Sequence, residues 1–298
     1  MEIKSDKWEG KTGGGKFGQA FLLWFLQKVS VRVLYPILYL VIPFYLLFAK
    51  KGYNAIYSYF RERYSYPWWK SFYYTYLNHL TFGKVVLDKF ALLAGNDSQF
   101  TITIEGGEEV TPIFESERGF IMAGAHIGNP EIGGMGIKDK KKIINGIIFG
   151  GESANFQSQR DNAFGRAKIN LIPVTTDMSH IFAIKNAIEN GEIVMVACDR
   201  MMGSQKSYSI PFLGEEANFP AGMFRIAAQL RSKMMAYFVM KEKGLNYRVF
   251  VRELSCPSGE ESSAKIAEAF ARNYVKELEK IVKQYPEQWF NFYPFWEK

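Results

Sequence analysis

The sequence predicts an α/β fold: a mostly parallel central sheet flanked by helices, preceded by an N-terminal membrane-anchoring helical segment. Three observations carry this. Short apolar runs of strand length alternate with helix-like segments from Phe100 onward. Residues 21–49 are dominated by Leu, Val, Ile, Phe and Tyr. Aromatic residues make up 16% of the chain and crowd its first hundred positions and its last ten.

Taken in order, residues 1–19 are polar and glycine-rich and read as a mobile tail. Within it, Gly10 to Lys16 (GKTGGGK) approaches a phosphate-binding loop, but Phe17 stands where Ser or Thr must ligate magnesium and no strand precedes it. Residues 20–51 read as a membrane anchor, an amphipathic entry followed by an insertable helix. Its uncharged part, 33–49, is at the short end of the roughly 17–25 residues that a span requires, and Pro36 and Pro43 interrupt it. A full span and a shallow, re-entrant insertion are both compatible with that pattern. The remaining residues, 52–298, read as one catalytic domain. Its first part, Tyr57 to Leu93, is aromatic, basic and helical, broken at Pro67. Strands are expected at Phe100–Glu105, Gly119–Ala125, Ile143–Phe149, Asn170–Val174, Ile193–Ala197, Met234–Met240 and Tyr247–Glu253. Helices are expected at Asp177–Asn190, Ala221–Leu230 and Ser263–Lys283, the last with Ile266, Phe270, Tyr274, Leu278 and Ile281 on one face.

A formal charge of +7 in 298 residues favours an anionic partner, whether lipid surface, acidic carrier protein or nucleic acid. No aromatic-basic strand motif for nucleic acid is present, and nucleic acid ranks last. Cys198 and Cys256 lack metal-ligand spacing, so neither a metal site nor a disulfide framework is expected.

The informative segment is Gly124 to Gly134, GAHIGNPEIGG. A buried strand ends at Ala125, and His126 follows it, where open α/β sheets place their chemistry. Asn129 offers a helix N-cap and Pro130 a preset first residue, so Glu131 falls in the first helical turn. Across that loop a carboxylate can reach one imidazole nitrogen and leave the other as a base. His79 and His180 are expected in structural or capping roles.

The order of blocks around this motif resembles the late acyltransferases of lipid A biosynthesis, within the lysophospholipid acyltransferase-like superfamily. A strand ending in His, four residues and an acidic residue stand here as His126 to Glu131. A basic block follows, Phe156 to Arg166 (FQSQRDNAFGR), then GEIVMVACD (Gly191 to Asp199), IPFLG (Ile210 to Gly214), NFPAGMFRIA (Asn218 to Ala227) and Pro286 to Trp289. The chain departs from the pattern at Pro130, at Arg200 where Gln is common, and in its aromatic ending.

The resemblance implies transfer of a fatty acyl group from a carrier thioester to a hydroxyl or amine of a lipid acceptor, of lipid A type or an amino-lipid. His126 is then the base and Glu131 its partner. Arg160 or Arg166 binds anionic groups, and Asp199 orients Arg160 or the Phe219-Pro220 segment. Lys206 and Arg225 are further candidates for anion binding. Residues Pro211 to Leu213 and Met223-Phe224 are candidates for lining an acyl channel. No cofactor is implied beyond the acyl donor, an acyl carrier protein or coenzyme A thioester. The partners implied are acyl carrier protein, lipid acceptor and membrane, at the cytoplasmic face of the inner membrane. A lipid hydrolase or thioesterase using the same dyad, and a non-catalytic membrane scaffold, are the competing readings.

Overall fold

The computed structural model describes residues 15–136, 142–149, 169–175, 177–201, 206–255 and 261–296. Each of the seven expected apolar runs forms a strand. These are β1 (Thr101–Glu105), β2 (Phe120–Gly124), β3 (Ile144–Phe149), β4 (Ile169–Val174), β5 (Ile193–Ala197), β8 (Met234–Lys241) and β9 (Asn246–Glu253). They make one seven-stranded sheet in the order β1-β9-β8-β2-β5-β3-β4. Every pairing is parallel except β8 with β9. β8 is buried at every position because helices cover both faces of the sheet there, which is why its sequence (MMAYFVMK) runs apolar instead of alternating.

A hairpin that the sequence reading did not anticipate, β6 (Ser207–Phe212) and β7 (Glu215–Pro220), forms a separate two-stranded sheet. Leu213 and Gly214 make its turn at φ 51° and 86°, the left-handed pair that a two-residue hairpin needs. A leucine at such a position lacks the usual Asn-Gly signature, so the turn is hidden in the sequence. On the helical side, α7 (Ser179–Glu189), α8 (Gly222–Gln229) and α9 (Ser263–Gln284) lie within two residues of expectation. The apolar stripe of α9 is buried throughout, and Tyr274 from it donates its hydroxyl hydrogen to Gly124 O at the end of β2 (2.7 Å).

The N-terminal region is helical: α1 (Gly15–Leu26), α2 (Tyr35–Phe48), α3 (Lys50–Ser58) and α4 (Trp68–Leu93). Helix thus begins within the stretch expected to be tail; residues 1–14 lie outside the described residues. The expected insertable stretch forms one short helix, α2, bounded on both sides. A 3-10 turn at Val31–Val33 precedes α2, Pro36 opens it, and Ala49 leaves helical geometry after it. Among the described residues no helix is long and apolar enough to cross a membrane.

α2 lies antiparallel against α4, with Tyr35 beside Asp88 and Tyr45 beside His79. Gly83 permits the approach: a Cβ there would sit 3.2 Å from Leu38 Cδ2. The outward side of α2 stays apolar, and Leu40, Phe44, Leu47 and Phe48 are exposed, Phe48 by 84%. Trp24 of α1 and Trp68, Trp69 and Phe72 of α4 are exposed as well.

A buried ionic network fastens these helices to the sheet. Lys241 Nζ, at the end of β8, donates to Asp88 Oδ2 (2.5 Å), Tyr35 OH (2.9 Å) and Gly244 O (2.9 Å). Tyr35 and Tyr247 also donate to the Asp88 carboxylate. Burial lowers the Lys241 pKa and Asp88 opposes that shift. Removing one member of a buried pair strands the other's charge. Lys241→Met is therefore expected to lower stability by about 3 kcal/mol, read from the chemical-denaturation midpoint. The double variant with Asp88→Asn should recover part of the loss, and a Lys241→Met loss below about 1 kcal/mol would rule out a structural role of this size.

Candidate active site

The register of two neighbouring strands builds the site. β2 and β5 run parallel with Gly124 opposite Ala197, so each chain leaves the sheet at the same level. Cys198 N donates to Gly124 O (2.9 Å), extending the ladder by one step. Two residues past each strand stand His126 and Asp199, and they meet. His126 Nδ1 lies 2.7 Å from Asp199 Oδ1, and the His126 backbone amide donates to Asp199 Oδ2 (3.0 Å). The indole of Trp289 donates to the same Oδ2 (3.2 Å).

Asp199 is fully buried. Burial alone would raise its pKa, but the His126 ring and amide and the charge of Arg200 outweigh it and bring the carboxyl down to about 2. An ionised carboxylate only accepts hydrogen bonds, so Nδ1 carries the proton and the neutral ring keeps a free lone pair on Nε2. The His126 side chain is 36% exposed while its carboxylate partner is sealed away. The ring is thus partly open to solvent while the group that orients it is fixed in the interior.

The loop that carries His126 is held from two sides. Phe290 N donates to His126 O (2.9 Å), and Gly128 N donates to Gln288 O (3.0 Å). Gln288 is itself clasped by β8: its Oε1 accepts from Lys241 N (2.9 Å) and its Nε2 donates to Lys241 O (2.7 Å). Gly128 adopts φ 58°, and a Cβ there would lie 1.9 Å from Val239 O, so only glycine lets the loop lie on β8. α6 (Pro130–Gly136), the next helix after α5 (Gly107–Glu115), then starts at Pro130 as expected. Its Gly133 is equally constrained, a Cβ meeting Tyr237 OH at 1.8 Å. The Asn129 cap is not made: no donor among the described residues meets its Oδ1, and its Nδ2 points to Val85 O on α4 (3.4 Å).

The expected site residues distribute as follows. His126 stands at the sheet edge as expected, and the carboxylate found at its Nδ1 is Asp199, which the sequence reading had assigned to Arg160 or to the Phe219-Pro220 segment. Glu131 is ion-paired with Lys89 of α4, tying the start of α6 to the N-terminal helices. Arg160 and Arg166 lie outside the described residues. Phe219 is fully buried in an aromatic cluster with Phe212, Phe295 and Tyr274, and Pro220 pairs with Ser207 in the hairpin. Phe212, Leu213 and Phe224 are core residues too, and Arg225 is exposed. Cys198 is buried and its pKa is raised by burial and by Asp199, which makes it a poor nucleophile. Cys256 lies outside the described residues. Sequence reasoning missed Trp289 and Lys89. The Pro286–Trp289 block was the available signal for Trp289, whereas nothing in the spacing pointed to Lys89.

An imidazole at the edge of an α/β sheet, oriented by a buried carboxylate, is an arrangement that can serve as a general base toward a hydroxyl or amine. The bacterial lipid A biosynthesis acyltransferase model matches residues 81–298, and the chain belongs to that family. It is an acyltransferase. Among solved structures, the 1-acyl-sn-glycerophosphate acyltransferase PlsC from Thermotoga maritima is similar at 14% identity and a TM-score of 0.38, covering 92% of this chain and 98% of that one. A likeness at that level carries nothing further. No curated protein matches the chain.

Proposed function

We propose that this protein transfers a fatty acyl group from a carrier thioester to a hydroxyl or amine of a lipid acceptor, with His126 as the general base. The observation that carries the reading is the 2.7 Å contact between His126 Nδ1 and the buried Asp199. With Nδ1–H directed at the carboxylate, Nε2 takes the acceptor's proton while the acceptor's oxygen or nitrogen attacks the thioester carbonyl. Asp199 stabilises the imidazolium that forms. The tetrahedral adduct collapses with cleavage of the C–S bond, and the imidazolium returns its proton to the departing thiolate. Nothing in this sequence requires an acyl-enzyme.

Glu131 enters the reading as a second carboxylate, whose pair with Lys89 holds α6, and through it the His126 loop, against α4. Arg160 and Arg166 are proposed to bind anionic groups of donor or acceptor, a task suited to the planar guanidinium. An acidic acyl carrier protein fits the chain's net positive charge, and coenzyme A is the alternative donor.

The exposed apolar side chains of α1, α2 and α4, with Lys28, Arg32, Lys50, Lys51 and Lys70 among them, support attachment at a lipid surface in the interfacial manner. The cytoplasmic face of the inner membrane is the proposed location, where carrier thioesters and lipid precursors meet.

Product analysis tests the reading. Purified protein given a labelled acyl carrier protein thioester and a membrane lipid extract should form an acylated lipid only when acceptor is present. Release of free fatty acid at the same rate without acceptor would establish a hydrolase or thioesterase instead.

A further inference from the structure

Arg200 follows Asp199 directly and shares its surroundings. Its Nη2 donates to Phe290 O (2.8 Å), the residue whose amide holds His126 O, so the guanidinium and the His126 backbone are tethered to the same residue. Its plane lies over Tyr293, 5.6 Å from the ring centroid. The side chain is half-buried, and its Nε is buried with no acceptor among the described residues. A guanidinium has five N–H donors, and among the described residues this one makes a single hydrogen bond, to a neutral carbonyl.

A half-buried cation with unmatched donors is costly unless something else completes its hydrogen bonding. Asp199 is near enough for the Arg200 charge to help hold its carboxyl ionised, but its acceptor contacts go to His126 and Trp289, and among the described residues no hydrogen bond joins it to the guanidinium. The fork geometry of an arginine suits a planar carboxylate or a phosphate.

We propose that Arg200 is a specificity-determining residue that binds a carboxylate or phosphate group carried by the acceptor near its nucleophilic hydroxyl or amine. The proposal deepens the acyl-transfer reading and rests on it for the identity of the ligand as acceptor. It narrows the acceptor to lipids in which an anionic group sits close to the atom that is acylated. Its tether through Phe290 places that group beside the base.

The test is equilibrium binding to the full-length protein in neutral detergent, with three probes: N-dodecanoylglycine, dodecyl phosphate and the uncharged 1-dodecanoylglycerol. Wild-type protein is expected to bind at least one anionic probe about tenfold or more tightly than the neutral one, the worth of a charge-assisted pair. Preference for the carboxylate probe would assign an acid-bearing acceptor, and preference for the phosphate probe a phospholipid-like one. Arg200→Gln keeps a donor for Phe290 O and is expected to bring all three probes within about twofold of each other. Arg200→Lys, which keeps the charge without the fork, should fall between them.

The His126→Ala protein should keep the wild-type preference even as transfer is lost. Preference retained with transfer unaffected would instead defeat the base assignment while leaving Arg200 in place. Equal affinities in wild type, an undiminished preference in Arg200→Gln, or equal weakening of all three probes would overturn the proposal. Should Arg200→Gln fail to fold, phenylglyoxal labelling of wild-type Arg200, located by peptide mapping, decides. Protection by an anionic probe and not by the neutral one is expected, and equal labelling under all probes would overturn it.

Discussion

Replacing His126 with alanine should reduce acyl transfer by about 10⁴-fold, the upper range for loss of a positioned general base. The backbone contacts of this residue, its amide to Asp199 and its carbonyl to Phe290, survive the substitution. The loop is therefore expected to hold its course, and the loss should appear in kcat with KM for the thioester nearly unchanged. Initial rates with radiolabelled donor check this. Activity within about tenfold of wild type would mean that some other group takes the proton.

Asp199→Asn should be nearly as severe, about 10³- to 10⁴-fold, although it removes no group that touches substrate. An amide nitrogen turned toward Nδ1 can donate, which favours the ring tautomer with its proton on Nε2, the nitrogen needed as base. The sign with pH follows from the carboxyl's depressed pKa. The ionised form is the one the fold favours, so its contribution is complete above the ordinary Asp range and is lost as pH falls toward about 2. Across pH 5 to 9 the carboxylate therefore stays charged, and the deficit of Asp199→Asn should be present throughout that range. Glu131→Gln provides the comparison. Its carboxylate is engaged with Lys89, and a cost of about tenfold is expected from loosening α6. A Glu131→Gln deficit exceeding that of Asp199→Asn would transfer the orienting role to Glu131.

The central strands β2, β5 and β8 were legible because burial on both faces leaves an uninterrupted apolar run, whereas the edge strand β1 showed through alternation. The place of His126 was legible for a related reason, since the run GFIMAGA is followed directly by a polar, ionisable residue at the strand's end. The choice of its partner was not. Spacing along the chain favours Glu131, five residues away, but the parallel register of β2 with β5 brings Asp199 nearer to Nδ1 across 73 positions. Strand order decides that pairing, and strand order is a property of the whole sheet. In the N-terminal helices, composition marked residues 33–49 as one apolar unit, and 35–48 do form a single helix, α2; what composition did not show is that tertiary contacts bury one side of it on α4 through Tyr35 and Gly83.

The clasp of residues 286–290 over the His126 loop bears on when the enzyme becomes competent. Synthesis proceeds from the N-terminus, so the apolar helices emerge from the ribosome long before Gln288, Trp289 and Phe290 do. Until those three arrive, the loop lacks two of its backbone restraints and Asp199 lacks its indole donor. A nascent chain can thus settle its apolar helices first, and the His126 loop gains its full set of restraints only after translation has delivered the tail.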